Sequence, residues 1–153
     1  MIEMRTYGFG AAVTRLRHIG DRVVDAARKQ MHRSADKIVE LAKLQVPEQD
    51  GDLKETIRKE KSYGYRGRLQ IDIVAGGISS LGRDTTRYAA LVHEAYETAV
   101  APNGPGPRTA RKMAAYPHIK IGSGFLSRAA ETERAKLDRL MVDAITKIDG
   151  VDE

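Results

Sequence analysis

Between Val23 and Ala42 the apolar residues Val23, Val24, Ala27, Met31, Ala35, Ile38, Leu41 and Ala42 recur at steps close to 3.6 residues. The positions between them carry Arg22, Asp25, Arg28, Lys29, Arg33, Asp36, Lys37 and Glu40. This is the pattern of an amphipathic helix, and Pro47 ends it by pushing Val46 out of the α region. About 25 residues at 1.5 Å rise predict a rod of roughly 38 Å. Asp21 suits the N-terminal dipole, and Asp25 and Lys29 stand four apart in the favourable order. Upstream, Ala11 to Arg17 reads as a short helix, interrupted or bent at Ile19-Gly20-Asp21. Residues 1–10 read as an extended arm with Gly8 and Gly10 as breakers.

So long a first helix needs something to cover its stripe, and the following segments supply it. Pro47 to Gly51 reads as a turn, and Asp52 with Glu55 three residues on resembles a capping box opening a short helix from Leu53 to Ile57. Lys59 to Tyr65 and Arg68 to Ala75 read as two strands around a turn containing Gly64 and Gly67. In the second, Leu69, Ile71 and Ile73 alternate with Gln70 and Asp72, the mark of a half-buried strand. Ile78 to Arg87 reads as a loop, and Tyr88 to Glu97 as a short helix. Residues 98–123 lack periodicity and hold Pro102, Gly104, Pro105, Gly106 and Pro107, so they read as one long loop, functional or disordered. A last helix runs from about Gly124 to Ile148 with a stripe of Leu126, Ala130, Leu137, Leu140, Met141, Ala144 and Ile145. The expectation is one α+β domain over 1–153: long N-terminal helix, small antiparallel sheet, Pro/Gly-rich loop, long C-terminal helix.

The composition narrows the chemistry. Without cysteine, disulfides and thiolate metal sites are excluded. No stretch approaches the roughly 18 apolar residues of a membrane span, and Glu3 and Arg5 interrupt any signal-peptide pattern. His93-Glu94 begins like a zinc-protease helix, but Glu97 stands where the second histidine should be. His18, His32 and His118 make no ligand spacing, no G-x-S-x-G elbow or phosphate loop occurs, and the acids are dispersed. No catalytic, metal or cofactor residue can therefore be named, and the expectation is a protein that is not an enzyme.

Charge is uneven. Residues 1–122 carry 21 basic and 14 acidic side chains, against 5 and 7 in residues 123–153. One cluster, Lys54, Arg58, Lys59, Lys61, Arg66 and Arg68, is interleaved with Tyr63 and Tyr65. A second comprises Arg108, Arg111, Lys112 and Lys120. Both fit sequence-blind contact with a nucleic-acid backbone. Both also fit a charged sheet edge or solvated surface that resists aggregation. Lys59, Lys61, Arg66, Arg68, Arg108, Arg111 and Lys112 are the candidate DNA-channel or partner-facing residues, with Lys59 and Lys61 expected on one strand face beside Tyr63.

Four features together resemble the neck and tail-completion proteins of long-tailed bacteriophages. The segment Ala42 to Ile57 is similar to a helix ending in Ala-Lys, an apolar-Pro step, then Gly-x-Leu-x-x-Ser-Ile, with Thr56 in place of Ser. Tyr88-Ala89-Ala90-Leu91-Val92-His93-Glu94 resembles the family's Tyr-Ala-x-x-Val, without the usual Gly-Thr afterwards. Phe125-Leu126-Ser127-Arg128-Ala129 is like the Phe-Leu-x-x-Ala opening of the last helix. The order of long polar helix, strands and final helix is the fourth feature, and the whole covers about Arg22 to Ile148. Pro47, Gly51, Leu53, Ile57, Tyr88, Ala89, Phe125 and Leu126 are thereby expected to be fold determinants.

The resemblance implies a structural virion protein that forms a ring at the head-tail junction, as neck connector or tail-completion protein, around the DNA path. It would be assembled in the host cytoplasm. Its partners would be copies of itself, in six- or twelve-fold symmetry, with portal, adaptor or head-closure proteins on one side and tail terminator or tube proteins on the other. Packaged double-stranded DNA would pass through, and no membrane is involved. Two other readings stay open: a stand-alone basic nucleic-acid-binding module using the same clusters, and a small hydrolase with a cryptic site.

Overall fold

A computed structural model describes residues 9–149 of the chain, with side chains for residues 18–148. The order is α1 (Phe9–Gln45), α2 (Asp52–Thr56), β1 (Arg58–Tyr63), β2 (Leu69–Val74), α3 (Thr86–Ala95), α4 (Pro107–Ala115) and α5 (Phe125–Asp149). One wide i→i+5 turn, Tyr96–Val100, follows α3. The strands pair antiparallel, with Lys59 opposite Ile73, Lys61 opposite Ile71 and Tyr63 opposite Leu69. The fold is α+β, with long helices at both ends and a two-stranded sheet between them.

α1 is longer than its periodic stripe predicts: 37 residues, or roughly 56 Å at 1.5 Å rise. The expected break at Ile19-Gly20-Asp21 does not occur. A single glycine in a helix interior costs only about 1 kcal/mol relative to alanine. That is too little to stop a helix with turns on both sides. Phe9 and Gly10, expected in the extended arm, begin α1; residues 1–8 of that arm lie outside the described residues.

At the other end of α1, Pro47 turns the chain and Gly51 adopts φ +90, a left-handed conformation that side chains resist. Leu53 and Ile57 on the next short helical turn then swing back beneath α1. They join Ala42, Val46, Ala89, Val92, Tyr96, Phe125 and Ala129 in one buried cluster. Phe125 is completely buried, and Tyr88 and Leu126 are half-buried at the margin. α5 starts at this end and runs back along α1, since Gln45 at the end of α1 meets Gly122 and Arg128 at the start of α5.

Three further expectations change. Residues 98–123 are not one long loop, because Pro107 opens the nine-residue α4 at a position where its missing N–H costs nothing. The capping box is not formed: Asp52 is ion-paired to Arg83 Nε at 2.6 Å, and Glu55 accepts from the Ser80 N–H and hydroxyl at 3.1 and 2.9 Å. In α5 the buried residues are Phe125, Ala129 and Glu133, whereas Ala130, expected on the apolar stripe, is exposed.

A Cβ built at Gly20 meets nothing within 4 Å. Gly20→Ala is therefore expected to stabilise the protein by about 0.5–1 kcal/mol, read as a higher urea midpoint at unchanged slope. A lower midpoint would mean that α1 bends there in solution.

Candidate functional site

The sequence singles out seven cations, and their surroundings separate them. Lys112 is buried. Its ammonium donates to the carbonyls of Lys43 and Val46 at 2.8 and 2.7 Å, and stands 3.2 Å from Glu48 Oε1. It thus caps the C-terminus of α1 from α4, where a positive charge suits the helix dipole. Thr109, one turn earlier, accepts from the Glu48 N–H at 3.1 Å and donates to the Glu48 carbonyl at 2.9 Å. Lys112 is consequently an internal clamp, not the partner-facing residue its sequence neighbourhood suggests.

Glu48 Oε1 sits between two ammoniums, with Lys54 at 2.7 Å. Burial raises its pKa, but the hydrogen bond from Lys54 and the charge of Lys112 outweigh burial and hold it below the ordinary 4.5. Burial likewise lowers the Lys112 pKa, more than the Glu48 charge raises it. The pair is favourable for the carboxylate, whereas desolvation prevails at the lysine.

In the hairpin, strand alternation puts Lys59, Lys61 and Tyr63 on one face, as expected. That face turns toward α1. Lys59 is only half-exposed, ion-paired to Asp36 at 2.7 Å and 3.4 Å from His32 Nδ1. Arg58 is tied to the carbonyls of Thr56 and Gly76 and to Glu60. Arg58 is exposed too, but the exposed hairpin cations without an ion pair among the described residues are Lys61, Arg66 and Arg68 near the tip. Arg66 holds φ 59, a strained conformation outside glycine, and its guanidinium lies 5.0 Å from the centre of the Tyr65 ring. Tyr63 and Tyr65 are also largely exposed, so the tip combines cations with flat apolar rings.

Arg108 donates to the Gln49 carbonyl at 3.3 Å, and Arg111 is exposed. Lys54, which sequence order groups with the hairpin, instead lines a recess of about 390 Å³ with Arg108, Arg111 and Lys112. The two basic clusters of the sequence are thus redistributed between the hairpin tip and the outer face of α4. Pro47, Gly51, Leu53, Ile57, Tyr88, Ala89, Phe125 and Leu126 lie within or beside the core around the turn after α1.

One pairing was invisible in the sequence. Ser127 Oγ lies 3.3 Å from His93 Nε2, within reach of a nucleophile and its base. The His93 ring packs edge-on against Phe125 at 5.3 Å, and its carbonyl accepts from the Gly124 N–H. The contact ties α5 to α3. Arg128 completes this tie by donating to the Gln45 side chain and to the carbonyls of Lys120, Gly122 and Ser123. Among the described residues no group of three or more His, Asp or Glu is placed to hold a metal ion, and no helix is long and apolar enough to cross a membrane.

This geometry is that of an α+β fold whose hairpin tip and α4 face expose cations, the tip with aromatic rings beside them. Comparisons with protein-family models, curated proteins and solved structures give no match to this chain.

Two outcomes follow from these contacts. Glu48→Gln is expected to lower stability at neutral pH by about 1–3 kcal/mol, the scale of a charged hydrogen bond in a partly buried site. Because the folded carboxyl titrates below 4.5, that contribution is complete above this pH and disappears as pH falls through the depressed value. Urea midpoints of parent and variant should therefore converge at low pH; a gap independent of pH would remove the carboxylate from the account. Separately, replacing Lys61, Arg66 and Arg68 with Ser should leave the fold within about 0.5 kcal/mol. Were double-stranded DNA the partner of this tip, the variant would also flatten the salt dependence of binding, by about 0.9 in log–log slope for each phosphate no longer neutralised. An unchanged slope would assign the tip to solvation alone.

Proposed function

We propose that this protein is a structural subunit of a closed ring at the head-tail junction of a tailed bacteriophage, a neck or tail-completion component through which DNA passes. The observation that carries the reading is the convergence of three separate family-like stretches. Ala42 to Ile57, Tyr88 to Val92 and Phe125 to Ala129 all contribute side chains to the same buried cluster. The residues that carry the resemblance therefore form one structural unit here.

The distribution of burial supports an assembling subunit. Before Gln30 in α1 and after Glu133 in α5, no described side chain is fully buried, and Ile19, Val24 and Val142 are substantially exposed. Two helices alone cover only one stripe of each other. An arm of this kind gains from neighbours, and identical neighbours arranged by rotation make a ring. In such a ring the cations at the hairpin tip and on α4 would meet DNA phosphates without reading sequence. The working role is mechanical, joining head to tail, with no reaction catalysed.

Native mass spectrometry of the concentrated protein, alone and with portal and tail components, tests the proposal. Rings in multiples of six are expected. A chain that stays monomeric even with those partners would overturn it. The exposed Tyr63, Tyr65 and Arg66 at the hairpin tip favour, as second reading, a nucleic-acid-binding module acting alone. That reading would hold if a strict monomer bound DNA with salt-sensitive affinity.

A further inference from the structure

The loop between β2 and α3 is short of apolar support yet firmly held. The Ser79 N–H donates to the Arg83 carbonyl at 2.8 Å, the Gly82 N–H to the Ser79 carbonyl at 2.9 Å, and the Thr85 N–H to the Gly77 carbonyl at 2.8 Å. Ile78 and Asp84 form an isolated antiparallel bridge at its base. From outside, Glu55 grips Ser80 through both carboxylate oxygens, and Arg83 is anchored to Asp50 and Asp52 at 3.2 and 2.6 Å. On this braced frame stand Ile78 and Leu81, 69% and 70% exposed. A flexible loop could fold such side chains inward; this one holds them out.

The same chain carries a cavity of about 590 Å³ whose walls combine Tyr88, Val100, Ala101 and Pro107 with the polar Glu48, Gln49 and Asp50, and with Arg108 on its border. That volume is within the roughly 300–1,000 Å³ range of ligand clefts, large enough to admit two branched aliphatic side chains. Glu48 and Asp50 are already ion-paired to Lys54 and Arg83, which leaves Arg108 as the charge on this wall without an ion pair among the described residues. Asp84, across the bridge from Ile78, uses Oδ1 for the N–H and hydroxyl of Thr86, and among the described residues no partner is bonded to its Oδ2. Those bonds, aided by the nearby Arg87 charge, hold its pKa below the ordinary value. Arg108 offers a guanidinium whose one bond among the described residues goes to the Gln49 carbonyl.

We propose that the Ile78–Leu81 knob of one copy of this chain seats in the Tyr88–Ala101–Pro107 cavity of the next copy, with Asp84 facing Arg108 across the contact. This rests on the ring reading above and names the contact that would close it. Repeated head to tail from one copy to the next, the contact is heterologous, the kind that builds rings or filaments. The bracing matters because a preorganised loop loses little freedom on docking.

The test uses two variants of the full chain, each designed to leave the fold intact. Ile78→Asp with Leu81→Asp disables the knob at exposed positions. Gly106→Trp obstructs the cavity, since a Cβ at Gly106 meets nothing within 4 Å and its φ of −65 suits any residue. Parent and variants are compared by circular dichroism and analytical ultracentrifugation. The parent is expected to assemble beyond a dimer, and each folded variant to weaken self-association at least tenfold. An equimolar mixture of the two should stop at a 1:1 dimer, because only one intact knob and one intact cavity remain. Arg108→Glu, on the exposed face, should weaken assembly in the same direction and more strongly at low salt.

A knob variant that assembles like the parent overturns this contact while leaving the ring reading standing. A parent that forms only two-fold dimers, or a mixture that builds large assemblies, overturns it too. A parent monomeric at every concentration removes the contact, and if it remains so with portal and tail components the ring reading falls with it.

Discussion

The reversal of the chain after α1 is held by an ammonium group from a helix 66 residues further on. A helix leaves its last carbonyls unpaired, and burying them without donors costs on the order of 1–3 kcal/mol each. Lys112 supplies donors to the Lys43 and Val46 carbonyls, and Glu48 balances its charge. With that turn fixed, Leu53 and Ile57 are delivered under the end of α1, and the hairpin departs in one direction only. Arg128 does the corresponding work at the start of α5 by gripping Gln45 and the 120–123 backbone. Two long side chains, Lys112 and Arg128, thus fix both helices to one small head.

How much of this was legible in the sequence depends on the range of the interaction. Local chemistry read well. Pro47 marked the end of α1, alternation in Leu69, Ile71 and Ile73 marked β2, and Phe125 marked the core, with Tyr88 only at its margin. That Lys59 and Lys61 share one strand face followed from the two-residue period alone. Where two local signals competed, the weaker one misled. Gly20 was too small a penalty to break a helix, and the Pro/Gly density around α4 concealed that Pro107 is well suited to start one.

The site was less legible, because a charge in sequence carries no sign of its partner. Lys112 and Arg111 are neighbours in an acid-free stretch, yet one is buried on α1 carbonyls and the other faces solvent. Amphipathic periodicity in α4 would have separated them had the segment been read as a helix. Lys59 was no easier: its partner Asp36 lies on α1, a helix that faces β1 only through the turn at Pro47. Asp52 and Glu55 mimic a capping box because the same acids that cap helices also anchor distant loops, here Arg83 and Ser80.

The placement of the core at one end of two long helices has a consequence for how the molecule holds together. Backbone ordering costs roughly 1–2 kcal/mol per residue everywhere along the chain, while among the described residues the fully buried apolar side chains, Ala35 apart, sit around the turn at Pro47. Cohesion therefore declines with distance from that turn, and the far ends of α1 and α5 are the first parts to open. A neighbour that covers those ends binds the closed arm in preference to the open one and so raises its stability by mass action. Under the proposed assembly the arm would be a concentration gauge: dilute it would fray, and crowded by its own kind it would become a rigid strut.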